Sequence, residues 1–90
     1  MSVEKSNILI VDDNEDHQIL MEETLRKFIQ DSNVVFACTG AECFLELSKE
    51  NYDVVVIDLN LSDMDGLEVL RSMNYKNYNI PSIMVTAFGD

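Results

Sequence analysis

Three apolar runs of this chain stop at residues able to do chemistry. Ile8 to Val11 stops at Asp12 and Asp13, Val54 to Ile57 at Asp58, and Ile83 to Val85 at Thr86. Carboxylates gathered in one cleft repel one another and raise one another's pKa values unless a cation sits between them. Hard oxygen donors with open coordination positions suit Mg2+, which keeps several waters and shares its shell readily with phosphate. A carboxylate beside such an ion can act as a nucleophile toward phosphorus and form an aspartyl phosphate. The ion then neutralises charge developing on the phosphoryl oxygens, and a threonine hydroxyl can hydrogen-bond one of them. Taken singly, each residue has a plainer role: Asp58 as a turn residue, Asp13 as a helix cap, Thr86 as a β-former. Their joint placement at strand ends is what favours chemistry.

The elements that must position them follow from the apolar pattern. An unbroken β-branched run such as Val54 to Ile57 reads as a strand buried on both faces, as in a parallel sheet covered by helices. In open sheets of that kind, ligands gather at the carboxyl edge of the strands. The first strand is expected over Asn7–Asp13. Asn14, Glu15 and Asp16 then supply a capping oxygen and negative charge to a helix reaching Ile29, with Met21, Leu25, Phe28 and Ile29 on one face. His17 and Gln18 fall in its first turns, and His17 reads more simply as a solvated helix residue than as a catalyst.

A second strand is expected over Asn33–Cys38. Thr39 to Glu42 has capping-box spacing and opens a helix to about Lys49, with Ala41, Phe44, Leu45 and Leu47 as core contacts. The third strand leads to Asp58. A helix from about Gly66 to Met73 carries Leu67, Val69, Leu70 and Met73, and Asn74–Asn79 is a polar loop. Ile80–Thr86 is the fourth strand, with Pro81 near its start, where a missing donor is tolerated. The order β-α-β-α-β-α-β implies right-handed crossovers and a doubly wound α/β fold with helices on both faces of a parallel sheet.

Composition narrows the partners. Ninety residues allow one small domain, and 47% hydrophobic with 26% charged residues is a globular balance. The net charge of −11, from 17 acids and 6 bases, argues against a nucleic-acid surface. It fits a cation site, a basic protein partner, or simple solubility. Cys38 and Cys43 have neither CxxC spacing nor a histidine cluster, so they read as reduced packing thiols rather than zinc ligands. No signal-peptide order or membrane-length apolar run is present in the sequence, and a cytoplasmic setting without a membrane partner is the default expectation.

The residues now support a resemblance. Ile8-Leu9-Ile10-Val11-Asp12-Asp13-Asn14, the loop from Asp58 through Gly66-Leu67, and Met84-Val85-Thr86-Ala87 together resemble the response-regulator receiver domain, the phosphoacceptor module of two-component signalling. The spacing between the three segments fits as well, and the resemblance covers essentially the whole of residues 1–90. It implies a flavodoxin-like sheet with strand order 2-1-3-4. It also implies Asp58 as phosphoacceptor, and Asp13 and Asp58 as direct Mg2+ ligands. Asp12 would hold the ion mainly through water, with the main-chain carbonyl of Asn60 as a further ligand. Thr86 would be the switch hydroxyl, with small Ala87 leaving the phosphoryl group room. The implied partner is a sensor histidine kinase or phosphotransfer protein, docking on the first helix near Asn14, His17, Gln18 and Met21.

Two departures from the family pattern stand out. Ser62 occupies the place where the family usually has proline, so the loop after Asp58 is expected to be less rigid. The family's fifth strand, fifth helix and phosphoryl-facing lysine have no counterpart in residues 1–90, a deficit of about one βαβ unit. Neither Lys49 nor Lys76 can substitute, since both lie far from the carboxyl edge in sequence. An incomplete receiver would leave its fourth strand as an open edge, so a homodimer or domain swap through that strand is expected. Two alternatives remain. One is a pseudo-receiver acting as a dimerisation or interaction module. The other is a Mg2+-dependent phosphohydrolase with an aspartate nucleophile, which the absence of an acid two residues after Asp58 disfavours.

Overall fold

Ile8, Leu9, Ile10 and Val11 are each fully buried, as are Val55 and Ile57. Strands buried on both sides belong at the middle of a covered sheet. The computed structural model, which describes residues 5–29 and 31–85, places them there. Its order is β1 (Ser6–Val11), α1 (Glu15–Phe28), β2 (Ser32–Ala37), α2 (Gly40–Lys49), β3 (Val54–Asp58), α3 (Gly66–Tyr75) and β4 (Ser82–Val85). The strands form one parallel sheet in the order β2-β1-β3-β4. The expected doubly wound, flavodoxin-like arrangement is therefore observed. Among the described residues, no helix is long and apolar enough to cross a membrane.

Alternation along the central strands sorts the core into two layers. Leu9, Val11, Val55 and Ile57 face Cys43 and Leu47 of α2 and Val69 and Met73 of α3. Ile8, Ile10 and Val56 face Met21, with Leu25 and Ile29 packed alongside, on the α1 side. Removing any one of these fully buried aliphatics to alanine leaves a cavity, a change that typically costs about 2–5 kcal/mol.

The boundaries and faces differ from expectation in instructive places. β1 ends at Val11 rather than at Asp13, although the Asp12 N–H still donates to Ala37 O at 2.9 Å. β2 begins and ends one residue early, β4 begins at Ser82 rather than Ile80, and α3 extends to Tyr75. Pro81 stays just outside β4, where its carbonyl accepts from Val55 N at 3.0 Å. Phe28, expected on the apolar face of α1, is 80% exposed at the last helical position, and the next residue, Ile29, packs against the core instead. On α2, Ala41 and Leu45 face solvent, and Cys43 takes the core position instead. Burial pushes the Cys43 thiol up to about 12, so it behaves as a packing group. Cys38, by contrast, is exposed rather than packed.

Candidate functional site

Register decides which chain ends meet. Val11 pairs with Ile57, and Asp58 pairs with Val85, so the residues that follow β1 and close β3 share the carboxyl edge of the sheet. The hydrogen bonds Asp12 N to Ala37 O (2.9 Å) and Leu59 N to Val85 O (3.0 Å) carry the ladder one step past the strands. Asp12, Asp13 and Asp58 come together there, with one carboxylate oxygen of each within 4.8 Å of the others. Asp12 is 0% exposed and Asp58 7%, whereas Asp13 is open to solvent.

Both buried carboxylates are oriented by the backbone two residues on. Asn14 N–H donates to Asp12 Oδ1 at 2.9 Å, and Asn60 N–H donates to Asp58 Oδ1 at 3.1 Å. The other oxygen of Asp12, Oδ2, is buried and accepts no hydrogen bond among the described residues. It lies 3.4 Å from His17 Nδ1. Burial holds the Asp12 carboxyl above its ordinary range. The Asn14 N–H pulls it back, the charges of Asp58 and Asp13 push it further up, and His17 opposes them. A buried oxygen that accepts no hydrogen bond among the described residues and has His17 at 3.4 Å, beside two more carboxylates, fits a divalent cation with hard oxygen ligands. Asp12, Asp13 and Asp58 are the groups that would hold it.

The loop leaving Asp58 is tied at several points. Asn60 and Asp65 form an antiparallel bridge, Gly66 N–H donates to Leu59 O at 2.9 Å, and Asp65 Oδ1 caps α3 by accepting from Leu67 N at 2.8 Å. Asn60 thus contacts Asp58 through its N–H. Thr86 and Ala87 lie outside the described residues. Lys49 pairs with Glu46 at 3.4 Å, and Lys76 stands over the Phe44 ring at 4.6 Å, so both lysines are engaged away from the acidic edge.

Of the four residues expected near the docking face, Asn14 is exposed and His17 half-buried, but the other two are not at the surface. Gln18 and Met21 are buried, and the half-exposed apolar residues near the helix start are Ile19 and Leu20. Gln18 has a different task. Its Nε2 donates to Asp12 O at 2.6 Å and lies 3.7 Å from Cys38 Sγ. That carbonyl belongs to the peptide joining Asp12 to Asp13, so Gln18 fixes the plane from which Asp13 projects. Sequence reading missed it because a glutamine in a first helical turn looks solvated. Its position four residues after the Asn14 cap, on the sheet side, was the available signal.

Comparison with known proteins agrees with this geometry. Residues 8–90 match the response regulator receiver domain profile. Sporulation initiation phosphotransferase F of Bacillus subtilis is 35% identical over 83 residues, covering 92% of this chain and 65% of that protein. The transcriptional regulatory protein ZraR of Klebsiella oxytoca is 31% identical over 88 residues, or 98% of this chain and 19% of its own length. The chain therefore spans only a fraction of such regulators. Among solved structures, the response regulator TrrA of Thermotoga maritima, in complex with Mg2+ and a beryllium fluoride group, superposes with a TM-score of 0.82. It is 28% identical, and the match covers 93% of this chain and 71% of that one. With the parallel 2-1-3-4 sheet and its acidic edge, these matches lead to one assignment: the chain belongs to the response regulator receiver domain family of two-component signalling.

Proposed function

We propose that this receiver domain accepts a phosphoryl group on Asp58 from a phosphohistidine partner, with Mg2+ held by Asp12, Asp13, Asp58 and the Asn60 carbonyl. The observation that carries the reading is the meeting of three carboxylates within 4.8 Å, two of them buried, at the strand ends of a receiver fold. The Asn60 N–H holds Asp58 Oδ1, which leaves Oδ2 as the oxygen to attack phosphorus. The new O–P bond forms as the P–N bond of the donor breaks, and the imidazole departs with that electron pair. A bound Mg2+ supplies charge neutralisation on the phosphoryl oxygens. Thr86 is the proposed switch hydroxyl. The domain is a regulatory phosphoacceptor in a cytoplasmic relay rather than a turnover catalyst.

The donor, a sensor kinase or phosphotransfer protein, docks over the start of α1. Glu15 and Asp16 are exposed there beside the half-exposed Ile19 and Leu20, which favours a surface with basic residues around an apolar centre. Incubation with acetyl phosphate and Mg2+ is the direct test. The expected result is an adduct of about 80 Da on Asp58 that is absent from Asp58→Asn. An unchanged adduct in that variant, or steady hydrolysis of a phosphomonoester, overturns the proposal.

A homodimer through the fourth strand is a second reading with its own support. β4 is the last strand of the described sheet, and its Ile83 is 50% exposed. Such an edge is a template for strand pairing. Light scattering over a dilution series is expected to show a dimer that dissociates on dilution. A monomer at every concentration rules this out.

A further inference from the structure

The loop that carries the proposed phosphoacceptor lacks the proline usual at the position of Ser62, yet it is anchored from outside. Asp63 Oδ1 accepts from Gly40 N at 2.9 Å, and Asp63 Oδ2 accepts from Ala41 N at 3.1 Å. These are the first two amides of α2, which an α-helix leaves without internal partners. The helix's own cap, Thr39, takes only the third, Glu42 N, at 3.1 Å. The start of α2 is therefore completed by a side chain from the β3–α3 loop. Glu42 is also drawn back, its Oε1 accepting from Cys38 N at 2.9 Å rather than from the cap residue itself.

The neighbouring residue adds a packing contact to the same junction. Met64 covers Gly40 so closely that a Cβ there would lie 2.5 Å from its sulfur. From this anchored point the loop runs three residues back to Asn60, whose N–H holds Asp58 Oδ1. It also runs two residues forward to Asp65, which bridges Asn60 and caps α3. A displacement at Asp63 therefore reaches Asp58 through one short, doubly tethered segment.

We propose that Asp63 is a positioning residue for the phosphoacceptor: its carboxylate clamps the β3–α3 loop to the start of α2 and so fixes Asn60 beside Asp58. This deepens the phosphoacceptor reading and rests on it. A prolyl ring stiffens a loop by removing backbone freedom, mainly in the unfolded chain. Asp63 supplies order in the folded state instead, through two charge-assisted hydrogen bonds at a helix N-terminus, where negative charge is favoured. Those two bonds also hold the Asp63 carboxyl below its ordinary range, the Gly40 N–H contributing most. The clamp is thus fully engaged at neutral pH and is released only in acid, as pH falls through the depressed value.

The test compares wild type, Asp63→Ala, Asp63→Asn and the double variant Ser62→Pro with Asp63→Ala. Three readouts are taken: Mn2+ affinity by calorimetry, the amide resonance of Asn60 by NMR, and the initial rate of adduct formation with acetyl phosphate. Asp63→Ala is expected to weaken Mn2+ binding and slow phosphorylation by about 10-fold, the lower end for loss of a group supporting a metal site. The Asn60 amide is expected to shift along with those of Gly40 and Ala41. Asp63→Asn, which keeps one good acceptor, falls between, and it serves as the test protein if the alanine variant does not fold. Proline at position 62 is expected to restore most of the loss without restoring the Gly40 and Ala41 shifts. Changes confined to Gly40 and Ala41, with Mn2+ affinity and Asn60 as in wild type, overturn the proposal. Failure of wild type to take phosphate overturns the parent reading instead, because metal affinity and the Asn60 signal are read without phosphate.

Discussion

Asp13→Ala is expected to weaken Mg2+ or Mn2+ binding by about 100-fold or more, since it removes a proposed direct ligand where even supporting groups are worth about 10- to 100-fold. Asp13 is the informative choice because it is the exposed member of the acidic trio. Truncating Asp12 or Asp58 would leave a buried polar hole, whereas truncating Asp13 leaves solvent. It also removes one of the charges that push the Asp12 carboxyl upward. The two effects have opposite signs. Without metal, the variant should be as stable as wild type or more so, since like charges no longer crowd the edge. With saturating Mg2+, wild type should gain stability by mass action and the variant should gain almost none.

The pH dependence follows from Asp12. Its carboxyl is raised above the ordinary 3.8, chiefly by burial. In metal-free protein the folded state therefore holds that proton more tightly than the unfolded chain does. Stability is lost as pH rises from the unfolded value through the folded one. A cation and the proton compete for the same oxygens, so the stabilisation from Mg2+ should grow across that window. Thermal melts with and without Mg2+ from about pH 4 to 7 measure both slopes. Equal metal affinity in wild type and Asp13→Ala, or a metal effect that shrinks as pH rises, rules out the assigned site.

How much of this was legible in the chain depended on how locally each signal is written. Val54 to Asp58 and Ile8 to Asp13 could be read because each is a short, largely β-branched apolar run closed by acids, too short for a buried helix and suited to a strand covered on both faces. Their acidic ends then meet by register alone, as Val11 opposite Ile57 shows. Helical periodicity located a stripe on each helix but not its limits. Phe28 and Leu45 belong to that stripe by spacing yet stand exposed, while Ile29 and Leu47, one and two residues later, pack against the core. Gln18 and Asp63 stayed invisible for another reason. A polar residue's partner is a property of the tertiary fold, and the amides that Asp63 holds lie 22 and 23 residues away in sequence. The expectation of a less rigid loop at Ser62 rests on one missing ring, and the two Asp63 hydrogen bonds to α2 have no local signal to set beside it.

Gly66→Ala is expected to be the most damaging single-methyl change in the domain. Gly66 is buried where α3 begins, and its N–H donates to Leu59 O at 2.9 Å, bringing the helix start onto the end of β3. A Cβ at this position would collide with the carbonyl oxygen of Asp58 and lie 2.9 Å from Leu59 Cα. Those are backbone atoms at the end of β3, where Asp58 pairs with Val85 and Leu59 N–H donates to Val85 O at 3.0 Å, so neither can step aside as freely as a side chain. Either α3 lifts away or the peptide after Asp58 rotates, and rotation turns Asp58 out of the acidic cleft. Overpacking of this kind costs about 3 kcal/mol. For a domain of this size that corresponds to a fall in Tm of roughly 15 °C. Gly40→Ala is the matched control. Its Cβ would also be crowded, but only by the Met64 side chain, whose thioether can rotate away. Alanine is in addition worth up to about 1 kcal/mol over glycine within a helix, which offsets part of that strain. Thermal denaturation of the two variants should therefore separate them by about 10 °C, with Mg2+ binding lost in the first and largely kept in the second. Equal shifts in Tm would mean that the backbone at Asp58 yields as easily as a methionine side chain, and the rigid seating of the phosphoacceptor on α3 would have to be abandoned.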